Sequence, residues 1–252
     1  TSLKSIIIPE SVKKIGDGAF CDCSSLKSIT IPESVIEIGD EAFYQCDSLK
    51  SIIIPESVTK IGEAAFYECS SLKSIIIPKS VTNIEGWAFF CCTSLEGITI
   101  SESVTYIGSG AFVDCASLES IVVAEGNPKY DSREGCNAII ETKSNTLIGG
   151  CKSTIIPESV TKIGNGAFEL CRSLESITIP ESVTYIGSEA FLGCTSLKSI
   201  TLSESVEEIN ESAFDECSAL STIYVPAMKV DYYKKRLPEK LHDKIVEIEP
   251  EK

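Results

Sequence analysis

The stretch from Leu26 to Ser48 reads LKSITIPESVIEIGDEAFYQCDS, and close copies of it fill most of the chain. Each regular copy is 23 residues long and opens on a leucine, except for one that opens on Cys151. A fixed period of this length is typical of proteins in which each copy forms one coil that its neighbours cover. The opening positions are Leu3, Leu26, Leu49, Leu72, Leu95 and Leu118, then, after a longer unit, Cys151, Leu174, Leu197 and Leu220.

The first part of each copy predicts a strand with one buried face. In the copy quoted above, Ile29 and Ile31 are separated by Thr30, and apolar residues that alternate with polar ones are typical of a half-buried strand. Pro32 then removes a hydrogen-bond donor and ends the strand. A parallel sheet built from one such strand per coil follows from the repeat.

The second part of each copy predicts a short extended stretch and then a short helical turn. Val35 and Ile38 supply two inward-pointing residues, and Gly39 lets the backbone change direction. Asp40 stands where the N-cap of a helix belongs, immediately before Ala42 and Phe43. We therefore expect Asp40 to cap a helical turn in its own coil.

Two positions of the repeat are occupied by a single residue type and predict columns in the core. Cysteine is a small apolar residue when it is reduced, so a column of cysteines favours buried thiols over paired disulfides. The predicted cysteine column is Cys23, Cys46, Cys69, Cys92, Cys115, Cys171, Cys194 and Cys217. The predicted phenylalanine column is Phe20, Phe43, Phe66, Phe89, Phe112, Phe168, Phe191 and Phe214.

The remaining cysteine positions leave two alternatives open. A metal site would need four ligands, and neither close pair has a second pair or a nearby histidine to complete one. These close pairs are Cys21 with Cys23 and Cys91 with Cys92. Cys136 and Cys151 flank the irregular stretch CNAIIETKSNTLIGGC and are the disulfide that the sequence favours. No metal ligand or cofactor is assigned from the sequence.

The repeated pattern L-x-x-I-x-I-P-x-S-V-x-x-I-G-x-x-A-F-x-x-C-x-x resembles the BspA-like, treponemal-type leucine-rich repeat of bacterial surface proteins. The resemblance covers essentially the whole chain. It implies an α/β fold: a right-handed solenoid with a parallel β-sheet face, short second strands and short helical turns. It also implies a cell-surface or secreted location, adhesion to host or matrix proteins, and no catalytic residues.

The repeat predicts one solenoid domain over residues 1–252. Regular repeats cover 3–117 and 151–219, with an irregular repeat between them at 118–150. Within the irregular repeat, Ala138 to Glu141 and Thr146 to Ile148 read as two strands, which predicts a β-hairpin that projects from the solenoid. Such an insertion either contributes to a binding face or is a tolerated spacer.

Residues 220–252 depart from the repeat and predict a C-terminal cap. Ile223 to Val225 form a last strand, Pro226 opens a helix that reaches about Arg236, and Ile245 to Ile248 return as a terminal strand. The only histidine, His242, lies in this tail. Solenoid ends need a cover over the last coil's core, which is the role we expect here.

The outward positions of the predicted strands form a candidate protein-contact stripe. Strands that stack about 4.8 Å apart turn one repeat position into a continuous row. The stripe comprises Ile7, Thr30, Ile53, Ile76 and Thr99. Its exposed isoleucines either contact another protein or simply reflect the β-propensity of the strands. A lysine row before the strand opposes a glutamate row after it, which we interpret as charge balance between neighbouring coils.

Composition and chemistry narrow the function further. The net charge of −15 argues against a broad contact with nucleic acid, and no apolar stretch is long enough to span a membrane. No secretory signal opens the chain, and its start at Thr1 without a cap predicts a fragment of a longer protein. Since one histidine and repeated glutamates single out no acid–base pair, we expect no enzyme. A protein-interaction scaffold is favoured, with glycan or calcium binding as the alternative.

Overall fold

The structure is a computed structural model and describes residues 2–248. The chain folds as two compact units, Thr1–Asp131 and Ser132–Lys252. The strands of the first unit are β1 (Ser5–Ile7), β2 (Lys14–Ile15), β3 (Ser28–Thr30), β4 (Glu37–Ile38), β5 (Ser51–Ile53), β6 (Lys60–Ile61), β7 (Ser74–Ile76), β8 (Asn83–Ile84), β9 (Gly97–Ile100), β10 (Tyr106–Ile107), β11 (Ser120–Val123) and β12 (Tyr130–Asp131).

The second unit contains both strands and short helices. A 3-10 turn spans Arg133–Gly135 and another spans Glu239–Lys244, and the α-helix α1 covers Val230–Lys234. The strands are β13 (Ala138–Glu141), β14 (Thr146–Gly150), β15 (Lys162–Ile163), β16 (Ser176–Thr178), β17 (Tyr185–Ile186), β18 (Ser199–Thr201), β19 (Glu208–Ile209), β20 (Thr222–Val225) and β21 (Ile245–Glu247).

Parallel strands in the first unit pair at the spacing of the repeat. One sheet joins β5, β7, β9 and β11, while β1 pairs with β3 in a separate sheet. Shorter strands β2, β4, β6, β8 and β10 form a second parallel sheet. Ile52 lies beside Ile75, and Ile75 beside Ile98, so each residue meets the same position of the next coil. The predicted stack of parallel coils is therefore confirmed.

Identical positions also meet in the core. Phe43, Phe66 and Phe89 have no exposed surface, and their rings stack at centroid distances of 5.1 and 5.3 Å. Stacking continues to Phe20 and Phe112 at the two ends of this row. Each ring has two faces, and each face packs against the ring of one adjacent coil. The column therefore forms only when the coils are in register.

The turn segment of each coil is not helical, because its backbone donors alternate between two partners. In the second coil, Tyr44 and Cys46 donate N–H groups to carbonyls three residues earlier, whereas Glu41 and Gln45 donate to the next coil. Glu41 and Gln45 have φ of 55° and 53°, in the left-handed region. A helix would keep all these donors within one coil and leave the next coil unbound. Bonds between coils therefore offset about 1–2 kcal/mol of strain at each left-handed residue.

Residues expected to cap helical turns instead bond to the following coil. Asp40 Oδ1 accepts a hydrogen bond from the backbone N–H of Glu63 at 2.8 Å, and Asp17 Oδ1 accepts one from Asp40 at 3.2 Å. The expectation that Asp40 caps its own coil was wrong. Gly39 also has a different role from the one expected, since a Cβ there would lie 2.3 Å from Asp17 Oδ1. Glycine at this position lets adjacent coils approach closely.

The irregular repeat forms the predicted hairpin, but the hairpin does not project from the fold. β13 and β14 pair antiparallel, and β14 then pairs in parallel with β15. Leu147 of β14 lies beside Ile163 in the column that continues to Ile186. Leu147, Ala138 and Ile140 are all fully buried. Because its second strand takes the place of a coil in the short-strand sheet, the hairpin belongs to the core of the second unit.

The segment after the hairpin departs from the repeat at the face strand. Residues 152–156 form a turn and an irregular stretch, so Ile155 does not lie on a strand. Ile155 is nevertheless 76% exposed, like the outward isoleucines of the regular coils. Thr154 occupies an inward position and is buried, and its hydroxyl donates to Asn137 O at 2.7 Å. This hydrogen bond joins the irregular stretch to Asn137, directly before the first hairpin strand, which a repeat pattern read by spacing alone does not reveal.

The C-terminal tail covers the core of the second unit. β21 pairs in parallel with β20, as expected from Ile245 to Ile248. Helix α1 is shorter than predicted, and its Tyr233 is fully buried and donates its hydroxyl hydrogen to Ser203 O. Arg236, just beyond the end of α1, lies 3.4 Å from the Tyr232 ring centroid and donates to Glu207 O at 2.8 Å.

The cysteine positions lie inside the stack and make hydrogen bonds between coils. Cys69 Sγ donates to Phe43 O at 3.2 Å, and Cys92 Sγ donates to Phe66 O at the same distance. Cys194 and Cys217 repeat this contact in the second unit. A thiol in this position therefore supplies a weak donor as well as apolar volume. None of the twelve cysteines forms a disulfide, and Cys136 and Cys151 are separate buried thiols.

Truncation of one ring in the phenylalanine column tests the packing. We expect Phe66→Ala to lower the free energy of unfolding by about 3–5 kcal/mol, because it leaves a cavity between two buried rings. Phe90→Ala is the matched control: Phe90 is only half-buried and its loss costs less. Urea denaturation followed by circular dichroism measures both. Equal destabilisation by the two substitutions would contradict a tightly packed interior column.

Alkaline pH tests the burial of the cysteine column. Burial raises the pKa of the Cys46 thiol to about 12, whereas an unfolded cysteine has a pKa of about 8.5. The protonated Cys46 thiol contributes fully to the free energy of unfolding below the pKa of the unfolded chain. This contribution is lost as pH rises toward the pKa of the folded chain, because between the two pKa values the thiol ionises only in the unfolded chain. We expect Cys46→Ala and Cys46→Ser to reduce the pH slope of unfolding free energy by up to about 1.4 kcal/mol per pH unit.

The two replacements distinguish ionisation from packing. Alanine and serine differ in stability at pH 7.5, but neither ionises, so both should reduce the slope between pH 9 and 11 equally. Urea midpoints at a series of pH values provide the measurement. A slope that stays as steep as in the unmodified chain would show that this thiol ionises equally in both states.

Candidate protein-binding face

The first unit exposes isoleucines in a row on its strand face. Because successive side chains of a strand point to opposite faces, Ile6 and Ile8 turn inward and Ile7 turns outward. Ile7, Ile53 and Ile76 are 79%, 83% and 80% exposed. Apolar side chains this exposed, repeated in one row, mark a contact surface more often than scattered surface residues do.

The structure places all five residues of the predicted contact stripe on this face. Thr30 and Thr99 are exposed like the isoleucines. Ile7 lies beside Thr30, and Ile53, Ile76 and Thr99 follow one another across paired strands. Between Thr30 and Ile53 the strands β3 and β5 lie in contact but are not paired in one hydrogen-bonded sheet. The cysteine column, in contrast, lies inside the coils and contributes nothing to this face.

Charged rows border the stripe on both sides in the first three coils. Lys4, Lys27 and Lys50, here the lysine column, precede the strands, and Glu10, Glu33 and Glu56, the glutamate column, follow them. All six side chains are exposed. Among residues 2–248 none of the six forms an ion pair, although Glu56 Oε2 accepts a backbone hydrogen bond from Lys79 at 3.2 Å.

Charge balance between neighbouring coils is present, but it does not join the lysine row to the glutamate row. The strand and its flanks separate the two columns by up to about 20 Å, which is too far for contact. Observed ion pairs instead join equivalent positions of consecutive coils, such as Lys73 with Glu96 at 3.9 Å and Lys79 with Glu102 at 3.0 Å. The hydrogen bond to Glu102 raises the pKa of Lys79. The fourth and fifth coils thus neutralise each other, whereas the first three do not.

The second unit carries a shallow acidic groove on its own strand face. Its volume is about 590 Å³. Three glutamates from consecutive coils line it together with apolar residues of the C-terminal tail: Glu158, Glu181, Glu204, Pro226, Ala227 and Ile248. Lys229 lies 3.9 Å from Glu204 and partly compensates the negative charge. This groove was not predicted, because the tail that closes one side of it lies outside the repeat.

A half-buried aromatic column on the turn side was not predicted. Tyr44, Tyr67 and Phe90 stack at centroid distances of 4.8 and 4.7 Å. Trp87, which is 48% exposed, packs over Gly110 of the next coil, where a Cβ would lie 2.5 Å from its ring. The signal was present in the sequence, since Tyr44, Tyr67 and Phe90 recur at the spacing of the repeat.

Within residues 2–248, no group of three or more histidine, cysteine, aspartate or glutamate side chains is placed to hold a metal ion. His242 Nε2 lies 3.0 Å from Leu237 O, a local contact within the tail. No helix in that range has the length and apolarity that crossing a bilayer requires. Contact through an extended surface is the chemistry that the arrangement supports directly.

Solved structures of bacterial leucine-rich repeat proteins are similar to this chain. A leucine-rich cell surface protein from Faecalibacterium prausnitzii is 31% identical, with a TM-score of 0.65, over 89% of this chain and 73% of that one. The leucine-rich repeat protein of T. pallidum is also 31% identical, with a TM-score of 0.53, over 77% of each chain. One from Bacteroides ovatus is 29% identical, with a TM-score of 0.59, over 98% of this chain and 66% of that one.

Comparison with family models gives the same assignment. No curated protein matches the chain significantly. The model of the BspA type leucine-rich repeat region matches residues 1–131 and 140–239, with six copies. The match covers the regular coils of both units and omits only the turn before the hairpin, part of its first strand and the end of the tail. The chain belongs to the BspA-type leucine-rich repeat family.

Proposed function

We propose that this chain is a non-catalytic adhesion scaffold of a bacterial cell surface, and that it binds another protein through the strand face of its first unit. The observation that carries the proposal is the row of isoleucines, each about four-fifths exposed, at Ile7, Ile53 and Ile76. Burial of apolar surface contributes about 25 cal/mol per Å², so these side chains would stabilise a complex that covers them.

Rigidity of the scaffold supports this role. The exposed side chains stand on paired strands whose inward neighbours are buried, as Ile52 and Ile75 show at 5% exposure each. A face held in this way loses little conformational entropy on binding. Serines beside the isoleucines are small, so they leave the stripe accessible to a partner.

The relatives support the proposed location. The similar protein from Faecalibacterium prausnitzii is described as a cell surface protein. Leucine-rich repeats generally mediate protein–protein contacts, and a host or matrix protein is the partner that the family resemblance implies. Calcium binding has less support, because within residues 2–248 no group of three or more carboxylate, histidine or cysteine side chains is placed to hold a metal ion. Glycan binding, the other part of that alternative, has no observation of its own in its favour.

Substitutions in the stripe test the proposal. We expect Ile53→Asp with Ile76→Asp to abolish binding to whichever protein of a panel the unmodified chain binds, because a charge would be desolvated at the contact. The panel comprises purified extracellular matrix proteins and the chain itself, measured by surface plasmon resonance. Ile36→Asp is the matched control, since Ile36 is 54% exposed but lies outside this face.

Stability measurements show whether a loss of binding is caused by loss of the contact or by unfolding. All three substitutions change exposed residues, so the urea midpoints of the variants should stay close to that of the unmodified chain. Binding that survives Ile53→Asp with Ile76→Asp would exclude the strand face as the contact surface. Absence of binding to every member of the panel would contradict the proposed function itself.

A further inference from the structure

We propose that a second copy of this chain binds the strand face of the first unit, so that the face makes a symmetric contact between two copies. The inference rests on the proposed function, because it uses the same contact stripe and names its partner. Its own evidence is the arrangement of charge around the stripe. An apolar row with lysines on one side and glutamates on the other is complementary to itself when one copy is turned over.

The geometry selects one symmetry. A two-fold axis parallel to the stacking direction of the coils places two strand faces together with antiparallel strands, and each coil meets the same coil of the other copy. Lys27 then faces Glu33 of the second copy, and Glu33 faces Lys27 of the second copy. A two-fold axis along the strands would instead set the lysine column against lysines. In the first three coils, only the first arrangement matches opposite charges on both sides of the stripe.

Within residues 2–248, the lysines and glutamates that this contact requires form no ion pairs inside the chain. Lys4, Lys27, Lys50, Glu10 and Glu33 make no ion pairs or side-chain hydrogen bonds within residues 2–248, while the next two coils pair Lys73 with Glu96 and Lys79 with Glu102 internally. Three coils therefore carry unpaired complementary columns, and two coils carry charges that are already compensated. Ile7 and Ile53 lie between the unpaired columns, so apolar and charged matches coincide.

Size and net charge limit the strength of the contact. Six coils at about 4.8 Å and about seven residues per strand with its flanks give a face of roughly 500–650 Å² per copy, at the lower end of specific interfaces. Only the first three coils contribute opposite charges, because the same axis sets Lys73 against Lys79 of the second copy, and Glu96 against its Glu102. The net charge of −15 per chain also opposes association, although salt screens it beyond about 8 Å at physiological ionic strength. The expected dimer is thus weak in solution. Many copies on one surface would multiply it through avidity.

Charge reversal provides the test, by sedimentation velocity of the full chain in 150 mM NaCl at concentrations up to about 200 µM, where interfaces of this size associate. The unmodified chain should dimerise as concentration rises. Lys27→Glu with Lys50→Glu places glutamates on both sides of the stripe, and Glu33→Lys with Glu56→Lys places lysines on both sides. Each variant alone should dimerise at least about tenfold more weakly. An equimolar mixture of the two should recover the dimer.

Matched controls separate local complementarity from net charge. Lys13→Glu with Lys162→Glu changes net charge as the lysine-column variant does, but at exposed positions off the face, and should dimerise like the unmodified chain. A chain that stays monomeric throughout, or a mixture that fails to recover the dimer, would overturn the proposal. A monomer that binds a matrix protein through Ile53 and Ile76 would leave the proposed function standing and remove only the second copy as partner.

Discussion

Hydrogen bonds between consecutive coils are the constraint on which the rest of the structure depends. In the strands and again in the turns, backbone N–H groups of one coil donate to carbonyls of the adjacent one, as Phe43 N–H does to Ala65 O at 2.8 Å. Such bonds fix the register between coils, so each residue lies over its equivalent 23 positions away. The columns of isoleucine, phenylalanine and cysteine are consequences of that register, because equivalent residues of consecutive coils then pack against each other.

The same register explains the surface. An outward position becomes a row, and a charged residue repeated in that position becomes a charged column with like charges only one coil apart. Where the sequence alternates charge between coils, as at Lys73 and Glu96, neighbouring charges pair within the chain. Where it repeats one charge, as from Lys4 to Lys50, the charges remain available to a partner. The register between coils therefore produces both a packed core and a surface whose repeated charges lack ion-pair partners within residues 2–248. That surface is where we locate the function.

Much of the fold could be predicted from spacing alone, since a period fixes which residues share a column. Ile52, Phe43 and the exposed Ile53 all lie where the alternation placed them. Predictions that depended on local propensity did less well. Asp40 was expected to cap its own coil, but the need to bond the next coil redirects its side chain to Glu63. The hairpin was expected to project because its length broke the period, yet Leu147 matches the column of Ile163 and joins the core.

The candidate face shows the same division. The contact stripe followed from the period, whereas the acidic groove of the second unit depends on Ile248 and other tail residues that no repeat positions. Ion pairing between rows was also misjudged, because a sequence pattern gives the order of Lys27 and Glu33 but not the distance across the strand between them. Sequence reasoning thus located columns well and contacts between different columns poorly.

Removal of one whole coil tests most directly whether register between coils holds the fold together. Deletion of Leu49–Ser71 takes out 23 residues and joins Ser48 to Leu72, so every column of the remaining coils stays aligned. Deletion of Leu49–Ser70 removes one residue fewer, so every later residue is offset by one position from the coils that precede the junction. The account predicts that the first variant unfolds cooperatively in urea and that the second loses cooperativity or folds far less stably. Equal stability of the two variants would contradict it.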